Sequence, residues 1–98
     1  MPGHDAERRG AEYELLVATQ VVEAFGELGI PVATVEEILE NPSLRRRDFA
    51  RLGLGSLDWI ALAGKVEAVT GAELPDRALL EPEHRCVSGW AAALSATT

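Results

Sequence analysis

The sequence has 98 residues, 47% of them hydrophobic and 26% charged, with a formal net charge of −7. That length makes one domain with a modest core and leaves little room for a cleft between two lobes. The negative balance argues against DNA or RNA as the main partner, because such binding rests on neutralising phosphates, and favours partners with basic patches. Cys86 is the single cysteine, so there is no internal disulfide and no thiolate cluster for structural zinc. No run is long and apolar enough to span a bilayer. The opening MPGHDAERRG is polar where a secretion signal needs an apolar segment, so the expected location is the cytoplasm, with no membrane attachment.

Residues 1–11 carry no periodicity and are expected to form a disordered tail, with the domain over 12–95 and a second short tail at 96–98. From Glu12 to Leu28, the residues Leu15, Ala18, Val22 and Phe25 recur at intervals of three and four, with Val21 and Leu28 widening the stripe. This predicts an amphipathic helix, stopped by Gly29 and Pro31. Residues 29–55 form a long connection. Within it, Thr34-Val35-Glu36-Glu37 fits a capping box for a short helix that turns Val35, Ile38 and Leu39 inward and ends at Asn41-Pro42. Phe49, Leu52 and Leu54 are spaced as anchors to a core.

A second main helix is predicted from Ser56 to Thr70, closed by Gly71. Wound at helical pitch, Trp59, Leu62, Val66 and Val69 line the expected core face. Leu57, Ala61, Gly64 and Ala68 line another, mostly of small residues, which the core does not need and a partner can use. Pro75 opens a short helix through Leu80 and Pro82 closes it. The last helix is predicted near Ser88 as N-cap, with Trp90, Ala93 and Leu94 inward. Without strand-like alternation, the fold class is all-α: a small four-helix bundle of three main helices and a short third one, with a long loop after the first.

A serine at a loop-to-helix junction is ordinarily an N-cap, and Ser56 suits that role. Capping does not explain the apolar, glycine-punctuated run Leu52-Gly53-Leu54-Gly55 before it, since ordinary loops are polar. Ser56, His84 and Asp58 do not make a hydrolase triad, because the G-x-S-x-G elbow is absent and so is any sign of a substrate cleft. Cys86 shows nothing that would stabilise a thiolate and reads as packing, while His84 beside Arg85 reads as surface. Arg45-Arg46-Arg47 reads as a solvated loop face, with local electrostatic docking as its other use. No catalytic or metal-binding residue is assigned.

The stretch FARLGLGSLDWIALAGKVEAVTGAELPD resembles the heart of the acyl carrier protein and peptidyl carrier protein superfamily. There a Leu-Gly-x-x-Ser-Leu segment opens a helix and a Leu/Ile-Pro-Asp segment opens the short third one. Leu52 to Leu57 and Leu74-Pro75-Asp76 match at about the expected separation, and Val87 starts a fourth helix where the family does. The resemblance covers roughly residues 12–95. It implies that Ser56 is the attachment point for 4′-phosphopantetheine, transferred from coenzyme A by a phosphopantetheinyl transferase. The chain would then be a monomeric carrier that performs no chemistry itself. Its partners would be a loading enzyme, either an acyltransferase or an adenylating enzyme, and downstream acyl-transferring enzymes. Docking would use Gly55, Leu57, Asp58, Ile60, Ala61 and Gly64, with acidic charge steering the carrier, and Trp59 would sit where cargo meets the bundle.

The sequence departs from its relatives at informative positions. Gly55 stands where acyl carriers usually have Asp, and the Gly-Gly-His/Asp-Ser of peptidyl carriers is absent. Ala61 and Gly64 stand where fatty-acid carriers often have Glu and a bulky apolar residue. The pattern favours a free-standing carrier of polyketide or nonribosomal-peptide assembly over a fatty-acid carrier. An unmodified adaptor of the same fold is the competing reading.

Overall fold

The computed structural model describes the backbone of residues 2–30 and 33–97, and the side chains of 8–30 and 33–96. It contains seven helices among those residues: α1 (Pro2–Leu28), α2 (Val35–Glu40), α3 (Pro42–Arg45), α4 (Phe49–Leu52), α5 (Ser56–Thr70), α6 (Asp76–Leu80) and α7 (Val87–Thr97). Helices α1, α5 and α7 are the three main rods and α6 is the short one, giving the expected all-α bundle. Helix α1 packs chiefly along α7 and also against α2 and α5.

Helix α1 starts at Pro2, so residues 2–11 are helical where the sequence predicts a tail. Proline at the first helical position, followed by the strong formers Ala6, Glu7, Arg8 and Arg9, extends the rod without needing an apolar face. At the other end α7 runs to Thr97, past the expected stop at 95; Met1 and Thr98 lie outside the described residues.

The buried side of α1 is Val17, Ala18, Val21 and Phe25, whereas Leu15 and Leu28 are about half exposed. The expected stripe was therefore rotated by part of a turn. Leu15, Leu16, Val17 and Ala18 are all apolar, so periodicity alone admits both phases, and packing against α7 selects the one through Val17.

The long connection is more structured than its sequence suggests. Thr34 and Glu37 form the predicted capping box. Asn41, expected to end a helix, also begins one: its Oδ1 accepts from the Ser43 N–H at 3.0 Å and Pro42 follows at the first position of α3. Asp48 does the same for α4 through Ala50. Arg45 leaves the solvated arginine run to pair with Glu14 of α1 at 3.0 Å and to donate to the Leu39 carbonyl.

The centre of the bundle joins Phe25, Phe49, Leu62, Val66, Trp90 and Leu94. Phe49 and Trp90 meet edge to face with ring centroids 4.8 Å apart, and the Trp90 indole N–H donates to the Ala78 carbonyl at 2.7 Å. That bond satisfies the one polar atom of a fully buried ring and fastens α7 to α6. Val69, placed by its spacing on the core face of α5, is instead exposed; Ala63 takes its place in the core. The last helix starts one residue before Ser88, which is a helical residue and not the cap. The first-turn acceptors come from Cys86: its carbonyl takes the Trp90 N–H at 2.9 Å and its Sγ takes the Gly89 N–H at 3.3 Å.

Candidate functional site

The loop before α5 is fastened at two points. Gly53 ends α4 with φ of 118°, a conformation that favours glycine, and so reverses the chain. Leu54 then turns into the core, and its N–H donates to the Phe49 carbonyl at 3.1 Å. This is why the loop is apolar: its leucine is an anchor.

Gly55, not Ser56, is the N-cap of α5. Its carbonyl accepts from Asp58 and Trp59, and its own N–H donates to the Asp58 carboxylate at 2.9 Å. Asp58 thus supplies the reciprocal half of a capping box and adds negative charge at the positive end of a 15-residue helix. Freed from capping, Ser56 occupies the first helical position with its side chain exposed, and its hydroxyl has no hydrogen-bond partner among the described residues.

Beside Ser56 lies an open groove of about 430 Å³, walled by Trp59, Ile60, Asp76, Leu79, Leu80 and Arg85. Trp59, expected in the core, is only half-buried; it packs on the core with one side and borders this groove with the other. The Arg85 guanidinium stacks on the indole, its carbon 4.1 Å from the ring centroid. Arg85, which enters the sequence reading only as the neighbour of His84, has a side chain 12% exposed and fully engaged: Nε and Nη2 donate to the two Asp48 oxygens and Nη1 donates to the Leu79 carbonyl at 3.2 Å. Its own carbonyl accepts from Phe49 at 2.9 Å. One residue therefore ties α4, α5, α6 and the start of α7 together. The Arg85 hydrogen bonds hold the Asp48 carboxyl below its ordinary range, and the carboxylate in turn raises Arg85.

Past Ser56, the outer face of α5 is apolar or small. Leu57 is 81% exposed, and Ile60, Ala61, Gly64 and Ala68 are exposed along the same helix. Its charges are largely engaged: Asp58 at the cap, Lys65 with Glu27 of α1 at 3.2 Å, and Glu67 accepting from the Leu74 N–H at 2.7 Å. The sequence-predicted residues Gly55, Ser56, Leu57, Asp58, Ile60, Ala61 and Gly64 are thus brought together at one end and one face of α5. His84 and Cys86 are not part of it. Burial, ahead of every other influence, pushes the Cys86 thiol upward, away from a reactive thiolate. Among the described residues no cluster of three or more His, Cys, Asp or Glu is placed to hold a metal, and no helix is long and apolar enough to cross a membrane.

Sequence reasoning missed Asp48 and Arg85, which lie 37 residues apart and share no local pattern. It also missed Gly89, where a Cβ would stand 2.3 Å from the His84 carbonyl oxygen. The sole signal for Asp48 was its place as a cap before Phe49.

A family model for the phosphopantetheine attachment site matches residues 32–94, more than half of the chain, from before α2 into α7. No curated protein and no solved structure matches.

Proposed function

Because the chain belongs to the phosphopantetheine-attachment family, within the acyl carrier protein superfamily, we propose that Ser56 bears its covalent arm and that it serves polyketide- or nonribosomal-peptide-type assembly. The family carries a covalently attached 4′-phosphopantetheine, and membership implies dealings with a phosphopantetheinyl transferase and with acyl-handling enzymes. When bound, the group supplies a terminal thiol that holds acyl or aminoacyl cargo as a thioester.

The residues around Ser56 fit such a group. Its hydroxyl is exposed and unengaged, so a transferase reaches it without breaking an internal contact. The start of α5 offers partial positive charge to a phosphodiester. Leu54, buried behind it, holds the loop still while one side chain stands out. That exposed, unengaged hydroxyl at the first helical position, directly after a pinned loop, is the observation that carries the reading. The apolar face of Leu57, Ile60, Ala61 and Gly64 then serves partners as a docking surface, with the carrier acting as a monomer in the cytoplasm. The absence of a glutamate or a bulky apolar residue at Ala61 and Gly64 favours specialised assembly over fatty-acid synthesis.

Intact mass tests the assignment. Protein co-expressed with a broad-specificity phosphopantetheinyl transferase should gain the mass of one arm, and Ser56→Ala should gain none. An arm on the alanine variant would move the site elsewhere; no arm on the wild type would favour an unmodified adaptor.

A further inference from the structure

A cargo tethered at Ser56 meets two environments, the open groove and the helix interior behind it. We infer that this protein holds an apolar acyl group of short to medium length in the groove against Trp59, outside the core, and that Arg85 is the positioning residue that keeps the interior shut. The inference rests on the Ser56 assignment, because Ser56 itself borders the groove.

The groove has the dimensions of a binding site: its volume of about 430 Å³ lies within the range of small-molecule pockets, roughly 300–1,000 Å³. Trp59, Ile60, Leu79 and Leu80 give it apolar walls, and Ile60 and Leu80 are exposed enough to gain burial from an occupant. The partition behind it is the indole of Trp59 with the Arg85 guanidinium carbon over it, 4.1 Å from the ring centroid. Three hydrogen bonds, two to Asp48 and one to the Leu79 carbonyl, keep that guanidinium from swinging away.

Beyond the partition Phe49, Leu62, Val66, Trp90 and Leu94 are at most 1% exposed, and the Phe49 and Trp90 rings are in contact. An acyl chain entering there would have to displace packed side chains and slide past a charged pair whose partners it cannot replace. The hollow of about 150 Å³ between α6 and α7 offers no alternative, since its lining of alanines, Pro75, Arg77, His84 and Gly89 does not include Ser56. Groove and core thus differ in a way that favours the groove: one is open and apolar, the other full and guarded by charge.

The test uses a broad-specificity phosphopantetheinyl transferase to move the octanoyl-phosphopantetheine arm of octanoyl-coenzyme A onto the protein with release of adenosine 3′,5′-bisphosphate, verifies the mass gain, and records NOEs from the alkyl protons. The expected wild-type pattern is contact with Trp59, Ile60, Leu79 and Leu80, upfield indole-induced shifts on the methylenes, and nothing to Val66, Trp90 or Leu94. In Arg85→Met, contacts to those three core residues should appear; if that variant does not fold, Trp59→Ala takes its place. Core contacts in the wild type would overturn the inference, as would an alkyl chain with no protein contacts. A folded variant that retains only groove contacts would remove the role of Arg85. Failure of the mass gain is a separate result, which removes the Ser56 assignment and this inference with it.

Discussion

Arg85 grips Asp48 through two parallel hydrogen bonds, Nε to Oδ1 at 2.7 Å and Nη2 to Oδ2 at 2.8 Å, with both side chains almost withdrawn from solvent. The paired geometry makes this one of the strong contacts of the fold. Asp48→Asn isolates it, because an amide oxygen can still accept from Ala50 and preserve the cap of α4. The expected loss near neutral pH is about 2 kcal/mol by urea unfolding. The Asp48 carboxyl is held below its ordinary value near 3.8, first by its hydrogen bond to Arg85. A carboxyl depressed in the folded state stabilises fully above its unfolded value, and that stabilisation is lost as pH falls through the folded one. The gap between wild type and Asp48→Asn should therefore close in acid below the ordinary carboxylate range; a gap that persists there would assign the effect to packing.

The cap of α5 makes a second prediction. Since Gly55 is the N-cap and Asp58 accepts its N–H, Ser56→Ala should leave stability within about 0.5 kcal/mol of wild type. Asp58→Ala should cost about 1 kcal/mol, the ordinary value of a lost capping contact. Paired thermal or urea melts decide between them. A larger loss for Ser56→Ala than for Asp58→Ala would mean that the serine caps after all.

Where signals were local, the sequence was legible. The bounds of α5, its stop at Gly71, the box at Thr34 and the short helix before Pro82 all follow from residues within a turn of one another. The cluster at the start of α5 was legible for the same reason, as a junction of glycines, one serine and a helix. Helices α3 and α4 were not, because four residues are too few to show a period, and only Asn41 and Asp48 mark their starts. Nor were contacts made across the chain: the rotation of α1 toward Val17, the half-burial of Trp59 and the Asp48–Arg85 pair are fixed by which helices meet. Acidic steering was read from the total charge, yet the exposed face of α5 is apolar and its charges are largely engaged, so net charge did not reveal the character of that face.

Cys86 should be inert in the folded protein. Its Sγ is buried, accepts from the Gly89 N–H and faces the Glu83 carbonyl at 3.7 Å, and burial raises its pKa. Alkylation by iodoacetamide in mildly alkaline buffer should run about tenfold or more slower than for a free thiol and recover in urea. Modification of the native protein at the free-thiol rate would show that the thiol is reachable.

The face of α5 beyond the groove should read out in transfer kinetics. Ala61 and Gly64 are exposed, so Ala61→Glu and Gly64→Glu should leave the helical fold intact. If the transferase docks on that face, each should lower kcat/KM for arm attachment roughly tenfold, the size of a contact worth more than about 1 kcal/mol. Unchanged kinetics for both would place docking elsewhere.

Two helical glycines should respond in opposite directions to alanine. At Gly64 an added Cβ meets nothing within 4 Å, so Gly64→Ala should stabilise by roughly 0.5–1 kcal/mol, the backbone entropy that glycine forfeits in a helix. At Gly89 the same carbon would lie 2.3 Å from the His84 carbonyl oxygen and 2.8 Å from its carbon. Backbone cannot rotate out of the way as a side chain can, so α7 would have to shift against the segment before it. That segment carries Arg85, which lines the groove and bonds Asp48, and Cys86, the first-turn acceptor of α7. Gly89→Ala should therefore cost about 1–3 kcal/mol despite its better helix propensity. It should also disturb the indole of Trp59, which fluorescence can follow beside urea unfolding. A Gly89→Ala variant as stable as Gly64→Ala would show that α7 has room to move, and that the close approach to His84 is not what fixes its start.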